Sequence, residues 1–282
     1  MSNIGLILEG GGMRGAFTAG VLDAFMARGI WIGDVYGVSA GACQACSYLA
    51  GQLGRGLRVW TDHLDDWRFC GVKSLLRTGD LFGAAFNYDL VPNRLDPVDY
   101  DAARRRDSRF VAVVTNLETG AAEYPRISDM RAQMPLIRAS ASMPLVSRAV
   151  EWRGRRYLDG GVADSIPLAR SIADGHARNI VVLTREAGYR KGPNRALPLM
   201  SLRYAGYPAF VETMRRRHVN YNAALDLVEA EADAGRAFVL RPDTPPEVGR
   251  VERDAAKLRA LHDAGFAAVE RGIDALNRFI GS

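Results

Sequence analysis

Ser39 is the residue around which chemistry could be organised. It lies in Val35-Tyr36-Gly37-Val38-Ser39-Ala40-Gly41-Ala42, where an apolar run meets a serine flanked by glycines and passes into small helix-forming residues. Gly37-x-Ser39-x-Gly41 is the pattern of a nucleophile elbow: a strand, a sharp turn and a helix, with the serine at the turn. A side chain held in such a turn costs about 1–3 kcal/mol of backbone strain. The glycines remove the Cβ atoms that would clash as the helix folds back on the strand. The turn also sets Ser39 near the positive end of the following helix, where developing negative charge is stabilised. Taken alone, the pentapeptide equally fits a small-residue turn that packs a helix on a sheet.

A second candidate stretch lies upstream. Gly10-Gly11-Gly12-Met13-Arg14-Gly15 follows a short buried-strand candidate, Ile4 to Leu8, and precedes a predicted helix over Ala16 to Ala27 with Phe17, Val21, Leu22 and Phe25 on one face. Successive backbone N–H groups in such a loop form an anion-binding nest. Gly10-x-Gly12-x-x-Gly15 formally matches a dinucleotide fingerprint. That use asks for an acidic residue at the end of the second strand, but here that strand ends in Ser39, and Asp34 lies before it. The favoured use is an oxyanion hole, where each donor contributes about 3–4 kcal/mol.

A serine hydroxyl is a poor nucleophile without a base. Asp159-Gly160-Gly161 follows a predicted hairpin, Arg148 to Trp152 and Arg155 to Leu158 around Arg153-Gly154. Asp-Gly-Gly is ordinarily only a turn. A Ser-Asp-His arrangement is open with His176, His218 or His262, although none sits in a distinctive motif, and His63 reads as packing. The alternative is a dyad in which Asp159 takes the serine proton directly, which needs hydrogen-bond reach.

Four segments, in order, resemble the blocks of the patatin-like phospholipase family: Gly10 to Gly15, Gly37 to Gly41, Ala139-Ser140-Ala141-Ser142-Met143-Pro144, and Asp159-Gly160-Gly161. The resemblance covers roughly residues 5–173. It implies an α/β fold, a three-layer α/β/α sandwich around a mostly parallel sheet, with residues 5–173 as catalytic domain and 174–282 as an α/β extension on the same core. It further implies lipid acyl hydrolysis by a Ser39–Asp159 dyad, with no catalytic histidine, no cofactor and no metal. Gly11 and Gly12 become the leading oxyanion donors within the Gly10, Gly11, Gly12, Met13, Arg14, Gly15 loop; Gly37, Gly41, Gly160 and Gly161 shape the two motifs. An acyltransferase on the same dyad, a dinucleotide-binding oxidoreductase and a non-catalytic interaction protein are the competing readings.

The 282 residues are 48% hydrophobic, 24% charged and 9% aromatic, ordinary globular values. No apolar run reaches the roughly 20 residues that span a bilayer, and the N-terminus does not read as a secretion signal. Cys43, Cys46 and Cys70 fit a reducing cytoplasm, and Cys43-x-x-Cys46 reads as helix packing rather than a metal or redox pair. The net charge is +5. The arginine clusters at 104–106, 153–156 and 215–217 read as solvated surface, with contact to an anionic membrane as the alternative. No nucleic-acid motif accompanies them, so the expected partner is a lipid or small acyl ester; oligomeric state is not legible. Gly51 to Cys70 shows helical phase in Leu57, Trp60, Leu64 and Trp67. Leu75 to Tyr100 reads as an irregular lid or pocket wall, Ser128 to Ala139 as a helix, and Leu197 to Phe210 as packing or an interfacial patch.

Overall fold

The apolar run Ile4–Leu8 becomes β1, buried along its whole length at the middle of the sheet, in a computed structural model that describes residues 4–281. The other strands are β2 (Asp34–Val38), β3 (Arg109–Asn116), the two-residue β4 (Ala122–Glu123) and β5 (Arg126–Ile127), β6 (Val150–Trp152), β7 (Arg155–Asp159), β8 (Arg178–Val182) and β9 (Ala237–Leu240). Their order is β6-β7-β3-β2-β1-β8-β9, with β4 and β5 paired to β3. The five strands from β3 to β9 run parallel, and β7 and β6 extend the sheet antiparallel. Parallel strands are covered on both faces, which explains their near-continuous apolar composition.

The covering layers follow strand alternation. Ile4, Leu6 and Leu8 of β1, with Ile180 and Val182 of β8, face Phe17, Val21, Leu258 and Val269 from the helices Ala16–Ala27 and Ala255–Arg271. Ile7, Tyr36, Val111 and Val181 face the opposite layer, where Leu168 comes from the helix Leu168–Ala173 and Tyr221, Leu225 and Val228 from the long helix Pro208–Asp233. The result is a three-layer α/β/α sandwich, and residues beyond 173 contribute to its sheet and to both layers.

Three sequence expectations need correction. Helical phase over Gly51 to Cys70 yields a helix only at Arg55–Thr61; beyond it Asp66 accepts the N–H of Arg68 at 2.8 Å and the chain turns. Over Ser128 to Ala139 the helix is Met134–Ser140, with a proline in its first turn. Upstream, the Gln133 side chain accepts the N–H groups of Ser128 and Asp129 at 2.7 and 2.9 Å, replacing helical bonds. Leu75 to Tyr100 is more regular than expected: it holds most of the helix Val72–Thr78 and a ten-residue π-helix, Phe86–Leu95, that contains Pro92.

The helices Ala16–Ala27 and Ala255–Arg271 touch backbone to backbone. A Cβ on Gly20 would lie 1.9 Å from the His262 carbonyl oxygen. Alanine normally exceeds glycine in a helix interior by about 1 kcal/mol. At Gly20 the sign is expected to reverse: Gly20→Ala should lower the urea midpoint, at an overpacking cost of about 1–3 kcal/mol. A raised midpoint would refute the close crossing.

Candidate active site

β2 ends at Val38 and the helix Ala40–Ala50 begins two residues later, leaving Ser39 to make the whole turn. Its backbone pays with φ 53° and ψ −121°, a conformation that a residue with a side chain rarely adopts. Two features hold it there. The Ser39 N–H donates to Ser140 Oγ at 2.9 Å, in a fully buried contact. The helix packs so closely on β1 that a Cβ on Gly41 would meet the Leu8 carbonyl oxygen at 2.4 Å, and one on Gly37 would meet Ala42 Cα at 2.6 Å.

Asp159 reaches the same point from the other side. It ends β7, opposite Val114 of β3. Its N–H donates to the Ser142 carbonyl at 2.8 Å, and its own carbonyl accepts from Thr115 Oγ1 at 2.8 Å. The side chain caps the 3-10 turn Gly160–Val162, with Oδ1 accepting the Gly161 N–H at 2.7 Å. Oδ2 accepts the Ser39 hydroxyl at 2.8 Å. Ser39 and Asp159 are 7% and 6% exposed. Burial pushes the Asp159 carboxyl above the usual carboxylate range, partly offset by the Ser39 hydroxyl, Arg217 and the Gly161 N–H.

The glycine loop lies beside this pair: a Cβ on Gly10 would be 2.9 Å from Ser39 Cβ. The loop residues do not play one role. Met13 donates its N–H to the Arg250 carbonyl at 3.1 Å, and the 3-10 turn Gly12–Gly15 uses the loop's later amides and carbonyls. The N–H groups of Gly11 and Gly12 have no acceptor among the described residues. The Arg14 side chain lines a chamber next to Ser39.

Two cavities meet at the serine. One, of about 110 Å³, runs from Gly12 and Ser39 between Ala40, Cys43, Tyr88, Val91, Met134 and Ile137. Cys43 and Cys46 are part of its wall, and burial pushes their thiols up to about 11 and about 12, so they serve as apolar packing. The π-helix Phe86–Leu95 supplies another wall. The second cavity, of about 540 Å³, holds Ser39, Asp159 and Gly10 to Gly12 on one side and Arg185, Tyr189, residues 191–196, Arg217, Tyr221 and Arg250 on the other.

Residues 6–171 match the family described as patatin-like phospholipase. The chain belongs to that family. Residues 207–281 match a domain described as of unknown function, DUF6363. Relatives include "Uncharacterized protein YjjU" of Escherichia coli K12, 33% identical over 64% of this chain and 51% of its own length. "Uncharacterized NTE family protein Rv1063c" of Mycobacterium tuberculosis is 29% identical over 68% of this chain and 51% of its own. The chain thus spans about half the length of the curated relatives it matches. The crystal structure of VipD from Legionella pneumophila superposes with a TM-score of 0.48 at 14% identity, over 98% of this chain and 67% of that one.

Within this patatin-like site no histidine hydrogen-bonds Ser39 or Asp159 among the described residues. His176 is buried against Asp34 at 2.9 Å, His262 bonds Asp23 at 2.9 Å, and His63 packs on the Phe86 ring. His218 lines the wider cavity. Reading the sequence missed two things. The Ala139 to Pro144 block bridges the dyad, since Ser140 holds the elbow and Ser142 holds the strand end that carries Asp159. Also, Arg217 is not solvated surface like Arg215 and Arg216; it donates through Nε to the Gly161 carbonyl at 2.5 Å. Nothing in a run of three arginines marks which one turns inward.

Ser140→Ala leaves the buried Ser39 N–H without an acceptor and should cost about 1–3 kcal/mol of stability, read by urea unfolding. Asp159 behaves oppositely. With its folded pKa raised, its contribution to stability is fully present below the unfolded carboxylate pKa and is lost as pH rises through the folded value. Asp159→Asn should therefore raise the unfolding free energy at neutral pH and change it little in acid. Equal effects at both pH values would contradict a carboxyl raised by burial.

Proposed function

We propose that the chain is a serine lipid acyl hydrolase, of phospholipase or lysophospholipase type, working through an acyl-enzyme on a Ser39–Asp159 dyad. The observation that carries this reading is the 2.8 Å hydrogen bond from the Ser39 hydroxyl to a buried carboxylate, within a family of lipid acyl hydrolases. In the first half-reaction Asp159 accepts the serine proton as Oγ attacks the ester carbonyl carbon. The oxyanion is held by the N–H groups of Gly11 and Gly12 and by the positive end of the helix Ala40–Ala50. Collapse breaks the ester C–O bond, and the leaving alcohol takes the proton from Asp159. Water then attacks the acyl-enzyme, giving its proton to Asp159, which returns it to Ser39 as the fatty acid departs. Transfer of the acyl group to an alcohol instead of water uses the same steps.

The narrow apolar cavity suits the acyl chain, because its walls near Ser39 are Ala40, Cys43, Val91 and Ile137. Contact with a lipid surface belongs to the same proposal. Leu199 and Leu202 are 58% and 78% exposed on the helix Leu197–Arg203, whose other face buries Met200 beside the wider cavity. Among the described residues no helix is long and apolar enough to cross a membrane.

A fluorophosphonate should label Ser39, and Ser39→Ala should lower ester turnover by at least about 10³-fold. Wild-type turnover in Ser39→Ala protein would end the proposal. The kcat/KM profile should rise with pH along one acidic limb lying above the ordinary carboxylate range, since Asp159 must be ionised to act. Co-sedimentation with anionic vesicles should weaken in Leu202→Ser protein and with added salt. Unaltered sedimentation in both cases would remove the membrane contact.

A further inference from the structure

The wider cavity carries charge that the dyad mechanism does not use. Arg14, Arg185, Lys191, Arg195, Arg217 and Arg250 line it, against the carboxylates of Glu9 and Asp159. Glu9 offsets part of this charge, acting on Arg14, Lys191 and Arg217 through space, but its oxygens accept the Tyr221 hydroxyl and the Thr184 N–H, each at 2.6 Å, and pair with none of the six. None of the six basic side chains forms an ion pair among the described residues. Among the described residues, Arg14, only 7% exposed, finds no partner for its Nε, and the buried Arg185 Nε finds none either. Leaving a buried charged donor unpaired is costly, and the cost here is incurred in one cavity.

The cations also press on one another. Burial and Arg185 pull Arg14 down to about 10. Burial and Arg217 pull Lys191 down to about 7. Such crowding is relieved by an anion bound between them. The cavity is firmly built as well. The segment that carries Lys191 is clamped to the helix Pro208–Asp233, because Lys191 N–H donates to Asn222 Oδ1 at 2.8 Å and Asn222 Nδ2 donates to the Lys191 carbonyl at 3.1 Å. Lys191 Nζ lies 3.9 Å from the Tyr221 ring centroid, and Arg185 covers Tyr189 at 4.5 Å. Tyr189 and Tyr221, the aromatic rings that line the cavity, thus each already hold a cation of the chain.

We propose that this cavity is a phosphate subsite, and that the substrate is an acyl glycerol ester whose phosphate bears no cationic head group. This rests on the hydrolase reading above. In a glycerophospholipid only the glycerol carbons separate the ester oxygen from the phosphate, so one molecule can place its acyl chain in the apolar cavity and its phosphate among the basic groups. Ser39 lies on both walls, at the ester between them. Arginines and a lysine supply charge-assisted hydrogen bonds to phosphate oxygens. A choline or ethanolamine group would bring a further positive charge into an already cationic space. Five of the six basic residues lie outside residues 6–171, so the C-terminal part of this chain selects the head group for the dyad.

The test compares kcat/KM for 1-oleoyl-lysophosphatidic acid, 1-monooleoylglycerol and 1-oleoyl-lysophosphatidylcholine, with 4-nitrophenyl butyrate reporting the dyad alone. The phosphate monoester should be preferred over both others by at least about tenfold. Lys191→Met and Arg250→Gln should each shrink that ratio, and Lys191→Arg should retain it. Calorimetry of Ser39→Ala protein with millimolar inorganic phosphate should show binding that is lost when Lys191→Met is added. Turnover of 4-nitrophenyl butyrate without preference for the phosphate monoester overturns the subsite as a lipid head-group site and leaves the hydrolase standing. Phosphate binding with no such preference assigns the cavity to a free anion, which also overturns it. No binding of phosphate overturns the subsite whether or not any ester is hydrolysed. Loss of all ester turnover and of Ser39 labelling, with phosphate still bound, overturns the hydrolase reading instead.

Discussion

One hydrogen bond, from the Ser39 hydroxyl to Asp159, depends on most of the fold. Its partners sit at the ends of strands separated by more than a hundred residues, and each sits in a turn whose backbone is anchored by another segment. Ser140 holds the amide of the serine and Ser142 holds the amide of the aspartate. A bond between two flexible side chains would contribute little net stability. Here the backbone on both sides is fastened first, so the side chains meet without further ordering, which is the preorganisation that the proposed mechanism requires.

The same arrangement sets an electrostatic conflict. In the proposed mechanism Asp159 must be ionised to accept a proton, yet it is buried and burial favours its neutral form. Part of the conflict is resolved locally by the Gly161 amide and the serine hydroxyl, and part by Arg217 and Arg250 beyond. Those arginines belong to the segment after residue 173, so the state of the carboxyl depends on residues outside the motif that carries it. The strained elbow and the buried charge are both destabilising, and both are borne by a sheet whose core is closed on two faces.

The dyad also divides its surroundings. Apolar side chains from the elbow helix and the π-helix lie on one side, and basic side chains from the C-terminal part lie on the other. An amphiphile bridging two such cavities is oriented before any chemistry begins, with its apolar part and its anionic part each in a matching environment.

Local sequence decided the elements whose signal is local. Ile4–Leu8 and Ala16–Ala27 form as their apolar run and helical spacing indicate, and Gly37-x-Ser39-x-Gly41 makes the turn that its steric logic demands. Where side chains competed for backbone hydrogen bonds, as at Asp66 and Gln133, periodicity overstated helix length. Pairing across the sheet was legible only through the order of familiar blocks, because no local pattern states that β7 lies beside β3 or that Ser140 lies under Ser39. The inward turn of Arg217, the unpaired guanidinium of Arg14 and the convergence of both with Lys191 were decided by tertiary structure alone. Charge clusters look alike in sequence whether they meet water or one another, and only packing determines which atoms lose their solvent.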